Sequence, residues 1–167
     1  MKTLALIRHG KSSWDDPALA DIDRPLNPRG MRNAPDMGRR LAERGQKPDL
    51  FLTSPARRAR DTAGIIAREV DYPESALHII NELYLADTGT LLRVVQELDD
   101  ACDEAWIVGH NPDLTDFANG LGDFQTNNMP TGAVCRFAFD VSRWGELMPG
   151  MGTLREYDTP KHPWKPG

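Results

Sequence analysis

The chain has 167 residues, of which 40% are hydrophobic and 27% charged, a length and composition that suit one soluble domain with its own core. A formal net charge of -5 argues against a general nucleic-acid binder, since phosphate-backbone affinity needs a basic surface. No apolar run approaches the roughly 18 to 20 residues of a membrane span, so neither a nucleic acid nor a membrane is expected as partner. The N-terminus enters an apolar run at once, which predicts no secretory signal. Cys102 and Cys135 stand alone without CxxC spacing, as free thiols in a reducing cytoplasm would.

Residues 3–7 are mainly apolar with no helical stripe, which predicts a short buried strand. The run ends in Arg8-His9-Gly10: a permanent cation with a planar fork of donors, an imidazole able to act as a nucleophile, and a backbone open to close approach. Open α/β sheets bind ligands at the carboxyl ends of their strands, where this triplet falls. A long polar loop follows, and such loops inside compact domains often carry function. Asn27-Pro28 then reads as an N-cap with proline at the first helical position. Met31, Ala34, Met37, Leu41 and Ala42 form the apolar face of a helix that stops at Gly45, with a kink or restart expected at Pro35.

Residues 49–53 predict a second strand, and Ser54-Pro55 a second capped helix start. Ala59, Ala63, Ile66, Ala67 and Val70 face its core, and the helix must end before Tyr72-Pro73. Arg57, Arg58 and Arg60 crowd its first turns, where the helix dipole prefers negative charge; a bound anion would explain at least one of them. A third strand is expected over residues 76–80, with His78 packing inside it, and a helix over residues 88–98. Residues 105–108 form another buried-type strand, discharging Gly109-His110-Asn111 before a helix opened by Pro112, with Leu114, Phe117, Ala118 and Leu121 inward. Residues 133–139 alternate as a half-buried strand does, residues 152–157 do so more weakly, and the two suit an antiparallel pair. Residues 160–167 read as a loosely ordered tail.

Two histidines and one or more arginines gathered at strand ends match what phosphoryl transfer requires. Arginine forks orient the equatorial oxygens, one imidazole attacks phosphorus, and the other binds charge or handles a proton. No HxH, HExxH or P-loop pattern occurs, and neither cysteine has the setting of a cysteine phosphatase, so no metal or other cofactor is expected.

Three motifs in order, Leu6-Ile7-Arg8-His9-Gly10, the run from Ser54 through Arg58 to Ala63, and Val108-Gly109-His110-Asn111, resemble the histidine phosphatase superfamily, which includes the cofactor-dependent phosphoglycerate mutases. Residues 8–15, Asp23-Arg24-Pro25-Leu26 and Arg29-Gly30, with the short length, are most similar to small SixA-type phosphohistidine phosphatases. The resemblance implies a single α/β domain over residues 1–159, phosphoglycerate mutase-like, with a mainly parallel sheet of about six strands and helices on both faces. It implies that His9 is the nucleophile, that Arg8 and Arg58 hold phosphate, and that His110 is the second histidine of the pocket. Ser12 matches a phosphate-binding loop position. Glu82 is the nearest counterpart of the superfamily's leaving-group acid, although it equally suits a solvated loop carboxylate, and SixA-type enzymes are thought to work without a dedicated acid. The implied activity is a metal-independent phosphatase with a phosphohistidine intermediate on His9, acting on a phosphohistidine-bearing protein. Its rivals are a small-molecule phosphomonoesterase on a small phosphorylated substrate, a non-catalytic phosphate- or phosphoprotein-binding module, and, remotely, a metal hydrolase using His9 and His110.

Overall fold

The structure, a computed structural model, describes residues 1–166. Six strands, β1 (Lys2–Arg8), β2 (Leu50–Thr53), β3 (His78–Ile79), β4 (Glu104–Gly109), β5 (Val134–Phe139) and β6 (Thr153–Asp158), form one sheet in the order β3-β2-β4-β1-β5-β6. β4 runs parallel to both β1 and β2, and β2 parallel to β3, while β5 is antiparallel to β1 and β6. The register pairs Arg8 with Gly109 and Thr53 with Val108. Three parallel strands therefore end level, and the residues that follow them, His9, Ser54 and His110, emerge side by side.

Helices cover both faces. α1 (Pro28–Glu43) and α2 (Arg57–Glu69) set Met37, Leu41, Ala63 and Ile66 against Ala5, Ile7, Phe51 and Trp106. α3 (Thr88–Gln96) and α4 (Asp113–Leu121) set Leu91, Val95, Leu114 and Phe117 against Leu4, Leu6 and Ile107. A central strand buried on both faces gains nothing from polar alternation, which is why β1 and β4 read as continuous apolar runs.

Several local expectations are corrected. α1 continues unbroken through Pro35; burial of Ala34, Met37 and Leu41 outweighs the single lost backbone bond. Met31 is not on the buried face but 53% exposed. Ser54 does not cap α2, which starts at Arg57 behind Ala56 without a side-chain cap; its hydroxyl instead accepts from the Ala56 N–H. The third strand shrinks to the exposed residues His78 and Ile79, because Glu74–Ala76 turns as a 3-10 helix and the strand has a single neighbour. His78 is thus a surface residue. β5 is buried on both faces, with Val134 and Ala138 inward as well as Cys135 and Phe137.

In the C-terminal segment the Trp164 N–H donates to Asp158 Oδ1 at 3.1 Å, and the Arg44 guanidinium sits 5.5 Å from the Trp164 ring. The last residue of the expected loose tail, Gly167, lies outside the described residues. Cys102 and Cys135 are free thiols. Among the described residues, no helix is long and apolar enough to cross a membrane.

Candidate active site

The level ends of β1 and β4 are tied together: the His9 N–H donates to the Gly109 carbonyl at 3.2 Å. The two imidazoles that leave these ends lie 5.0 Å apart, inclined at 53°. His9 is buried, and its Nδ1 lies 2.6 Å from the Gly10 carbonyl. A carbonyl only accepts, so Nδ1 carries the proton and Nε2 keeps its lone pair. Burial is the largest cause that lowers the His9 pKa, to about 3, with His110, Arg58 and Arg8 adding to it. Withdrawal from water thus outweighs the neighbouring cations in keeping His9 neutral.

Arg58 projects from the first turn of α2 and is buried. Its Nη1 donates to the Asp21 carbonyl at 2.7 Å and its Nη2 to the Asp21 carboxylate at 3.0 Å, with His110 Nδ1 3.5 Å away. An arginine cannot accept, so His110 Nδ1 is the unprotonated nitrogen and Nε2–H donates to Ser54 Oγ at 2.7 Å. Burial, then Arg58, lowers the His110 pKa to about 4. Arg57 and Arg60 face elsewhere: Arg57 pairs with Asp61 at 3.6 Å, and Arg60 Nε donates to the Pro55 carbonyl at 2.9 Å. Arg8 donates from Nη1 to the Met129 carbonyl at 2.9 Å. The Nε–H groups of Arg8 and Arg58 are buried without a partner among the described residues.

The loop between β1 and α1 closes one side. Asn27 caps α1 by accepting from the Gly30 N–H at 2.9 Å, and a Cβ at Gly30 would stand 2.3 Å from the Lys11 carbonyl. That approach fixes where the loop passes. Ser12 is buried and its Oγ accepts from Arg24 Nη1 at 2.8 Å. Gly10 N–H donates to Thr62 Oγ1 at 3.0 Å, and that hydroxyl donates to the Arg58 carbonyl at 2.7 Å.

Arg8, His9, Ser12, Arg58 and His110 thus line one cleft of about 260 Å³, together with Lys11, Trp14, Arg24, Tyr84, Leu85, Asn111 and Thr131. Glu82 does not join them. The 3-10 turn Asn81–Leu83 directs Leu83 inward and Glu82 outward, where its side chain is 56% exposed and paired with Arg93 of α3.

Asp21, Tyr84 and Arg24 form a network at the site that carries no role in the sequence motifs. Asp21 accepts from Tyr84 Oη at 2.5 Å and from Arg24 Nε at 3.1 Å as well as from Arg58. The Tyr84 bond first, then Arg58 and Arg24, hold its carboxyl at about 2. Tyr84 also sets its ring edge-on to His110 with centroids 5.6 Å apart. Arg24 stood within a recognised motif, but only its burial against Asp21 and Ser12 explains why it is there. Among the described residues, no group of three or more His, Cys, Asp or Glu side chains is arranged to hold a metal ion.

A family model described as the histidine phosphatase superfamily, branch 1, matches residues 4–116. The chain belongs to that superfamily. Its members include phosphatases and mutases. An uncharacterized protein of Mycobacterium tuberculosis is 30% identical over 93% of this chain and its own full length. An uncharacterized chloroplastic protein of Arabidopsis thaliana is 39% identical over 50% of this chain, a match that spans only 38% of the plant protein. Among solved structures, the protein histidine phosphatase SixA complexed with tungstate superposes with a TM-score of 0.81 at 24% identity, over 95% of this chain and 97% of that one. The alpha-ribazole phosphatase of Shigella flexneri superposes at 0.66 with 20% identity, over 92% and 94%. Both likenesses establish the phosphoglycerate mutase-like fold.

Proposed function

We propose that the chain is a metal-independent phosphatase that transfers a phosphoryl group to His9 Nε2 and then to water, and that its substrate is a phosphohistidine carried by a protein. The observation that carries the reading is the Nδ1–H to Gly10 carbonyl bond at 2.6 Å, which leaves Nε2 as an unprotonated nucleophile among Arg8, Arg58 and His110. In the first step a lone pair on Nε2 forms the N–P bond as the bond from phosphorus to the donor breaks. Arg8 and Arg58 meet the charge on the equatorial oxygens. In the second step water adds to phosphorus, the electron pair of the N–P bond returns to Nε2, and the proton lost by the water resides on the released phosphate.

The substrate class rests on the acid side of the site. Glu82 is engaged with Arg93, and Asp21, held at about 2 by its donors, stays ionised and has no proton to give near neutral pH. An ester would expel an alkoxide without help. A phosphohistidine protonated on its other ring nitrogen expels neutral imidazole and needs no carboxylic acid. The SixA–tungstate likeness in fold supports the same class. The two free thiols fit a reducing compartment such as the cytoplasm.

The deciding experiment measures turnover of a histidine-phosphorylated protein and an alkyl phosphate monoester in EDTA, with His9→Ala in parallel. Rapid hydrolysis of the first, slow hydrolysis of the second, and a loss of at least about 10³-fold in the variant are expected. Full activity in His9→Ala would remove His9 as nucleophile.

A further inference from the structure

Trp14 and Leu85 are the two most exposed large hydrophobic side chains among the described residues, at 72% and 81%, and both line the cleft that holds His9 and Arg58. Isolated exposed apolar residues are ordinary; the two extremes at one mouth are not scatter. Neither is a loose side chain on a loose loop. The Trp14 ring lies 3.5 Å from the Arg24 guanidinium carbon. Arg24 is itself buried and held by Asp21, Ser12 and the Ser13 carbonyl, so the indole is stacked on a fixed plate. Leu85 has a backbone φ of 58°, in the left-handed region that leucine seldom occupies. It follows Tyr84, whose hydroxyl is bound to Asp21. Unfavourable backbone geometry thus accompanies the chain's most water-exposed leucine, beside the phosphate-binding groups.

We infer that Trp14 and Leu85 recognise the carrier of the phosphoryl group, as the apolar contact made with the protein surface around a phosphohistidine presented to His9. This rests on the phosphatase reading above and adds to it the residues that select a protein over a small donor. A sugar phosphate or phosphoglycerate surrounds its phosphorus with hydroxyls and carboxylates, which lose hydration against an indole and an isobutyl group and gain no bond there. A histidine on a folded protein comes with flat imidazole and neighbouring apolar side chains. These cover both residues while the ring nitrogen reaches the cleft, and a preorganised tryptophan is the kind of anchor on which protein contacts concentrate their affinity.

The test uses the full chain and two donors with the same P–N bond: a histidine phosphocarrier protein phosphorylated on its histidine, and phosphoramidate, which has no carrier surface. In Trp14→Ser and Leu85→Ser the ratio of kcat/KM for the phosphoprotein to that for phosphoramidate falls at least about tenfold, through KM, while Trp14→Phe keeps it within about threefold. An unchanged ratio overturns the inference, whether both rates drop together, as they would if Trp14 served only to steady Arg24, or neither does. If the wild-type chain turns over neither donor, the phosphatase reading fails by itself. Docking is then decided by equilibrium binding of the phosphoprotein, which Leu85→Ser must weaken at least about fivefold for the inference to stand. Self-association of the wild-type chain that is abolished by Leu85→Ser would assign the patch to a second copy and overturn it.

Discussion

Arg40, Arg44 and Arg136 meet Glu104, Glu156 and Asp158 beside β6, while Arg8, Arg24 and Arg58 line one cleft and the carboxylate of Asp21 pairs with the last two of them. In the first cluster three guanidinium groups face three largely buried carboxylates, with Asp36 adding a fourth at the surface. In the second, one carboxylate pairs with two of three guanidinium groups, and the two histidines beside them are neutral. The first closes on itself and ties α1 to the sheet and to the C-terminal segment. The guanidinium groups of the second exceed its carboxylate by two positive charges and Lys11 at the cleft adds another, enough to balance the charge of a phosphate monoester near pH 7. Burial alone therefore does not mark a functional arginine; an uncancelled charge does.

Substitutions on the two sides should separate stability from rate. Asp158→Ala takes the fully buried carboxylate from Arg40 and Arg44, which keep Asp36 and Glu156, and a loss of about 1.5–3 kcal/mol in urea unfolding is expected, the range for a hydrogen bond to a charged group; a loss under about 0.5 kcal/mol would make this cluster dispensable. Arg58→Ala is expected to lower kcat/KM by about 10²- to 10³-fold, the range for removing one preorganised donor from a developing charge. Arg57→Ala and Arg60→Ala serve as controls on the same helix turn, and equal losses in all three would break the distinction.

Smaller effects sharpen the picture. His9 and His110 titrate at about 3 and about 4 in the folded chain and near 6.5 when unfolded. Between those limits the unfolded chain binds protons that the folded one does not, so on their account stability rises as pH increases towards 6.5 and is level above it. Urea midpoints at pH 5 and pH 7 should differ less in His110→Asn than in the wild type. Smallest of all, Glu82→Gln should leave turnover of a phosphohistidine protein within about twofold, since its partner Arg93 lies on the surface; a loss above tenfold would restore it as the acid.

Strand ends were the legible part of the site. His9 and His110 each follow an apolar run, and a run of that kind is visible without knowing what it packs against. Arg58 was legible only through its motif, since three arginines in one turn look alike until the helix is rotated against the sheet. Asp21 and Tyr84 gave no signal, because the contact between them joins residues 63 positions apart through two short irregular turns. Of the two readings of Glu82, possible acid or solvated loop carboxylate, the structure places it as the second for a related reason. Its distance along the chain from the third strand was right, yet the 3-10 turn sends it outward and leaves Tyr84, two residues on, at the cleft. Edge strand β3 was overextended because its apolar residues lie on a half-covered margin of the sheet.

The hydroxyl of Thr62 bonds to backbone groups and not to the side chains of His9 or Arg58, yet it spans the gap between the segments that carry them. It accepts from Gly10, next to His9, and donates to the backbone of Arg58. β1 and α2 come from distant parts of the chain, and thermal sliding between them would alter the spacing of His9, the proposed nucleophile, and Arg58, the proposed anion holder. In-line attack tolerates little such play, since a misplacement of about 1 Å can cost about 10²-fold in rate. One oxygen atom thus works as a gauge block, setting two separately folded parts to a common dimension.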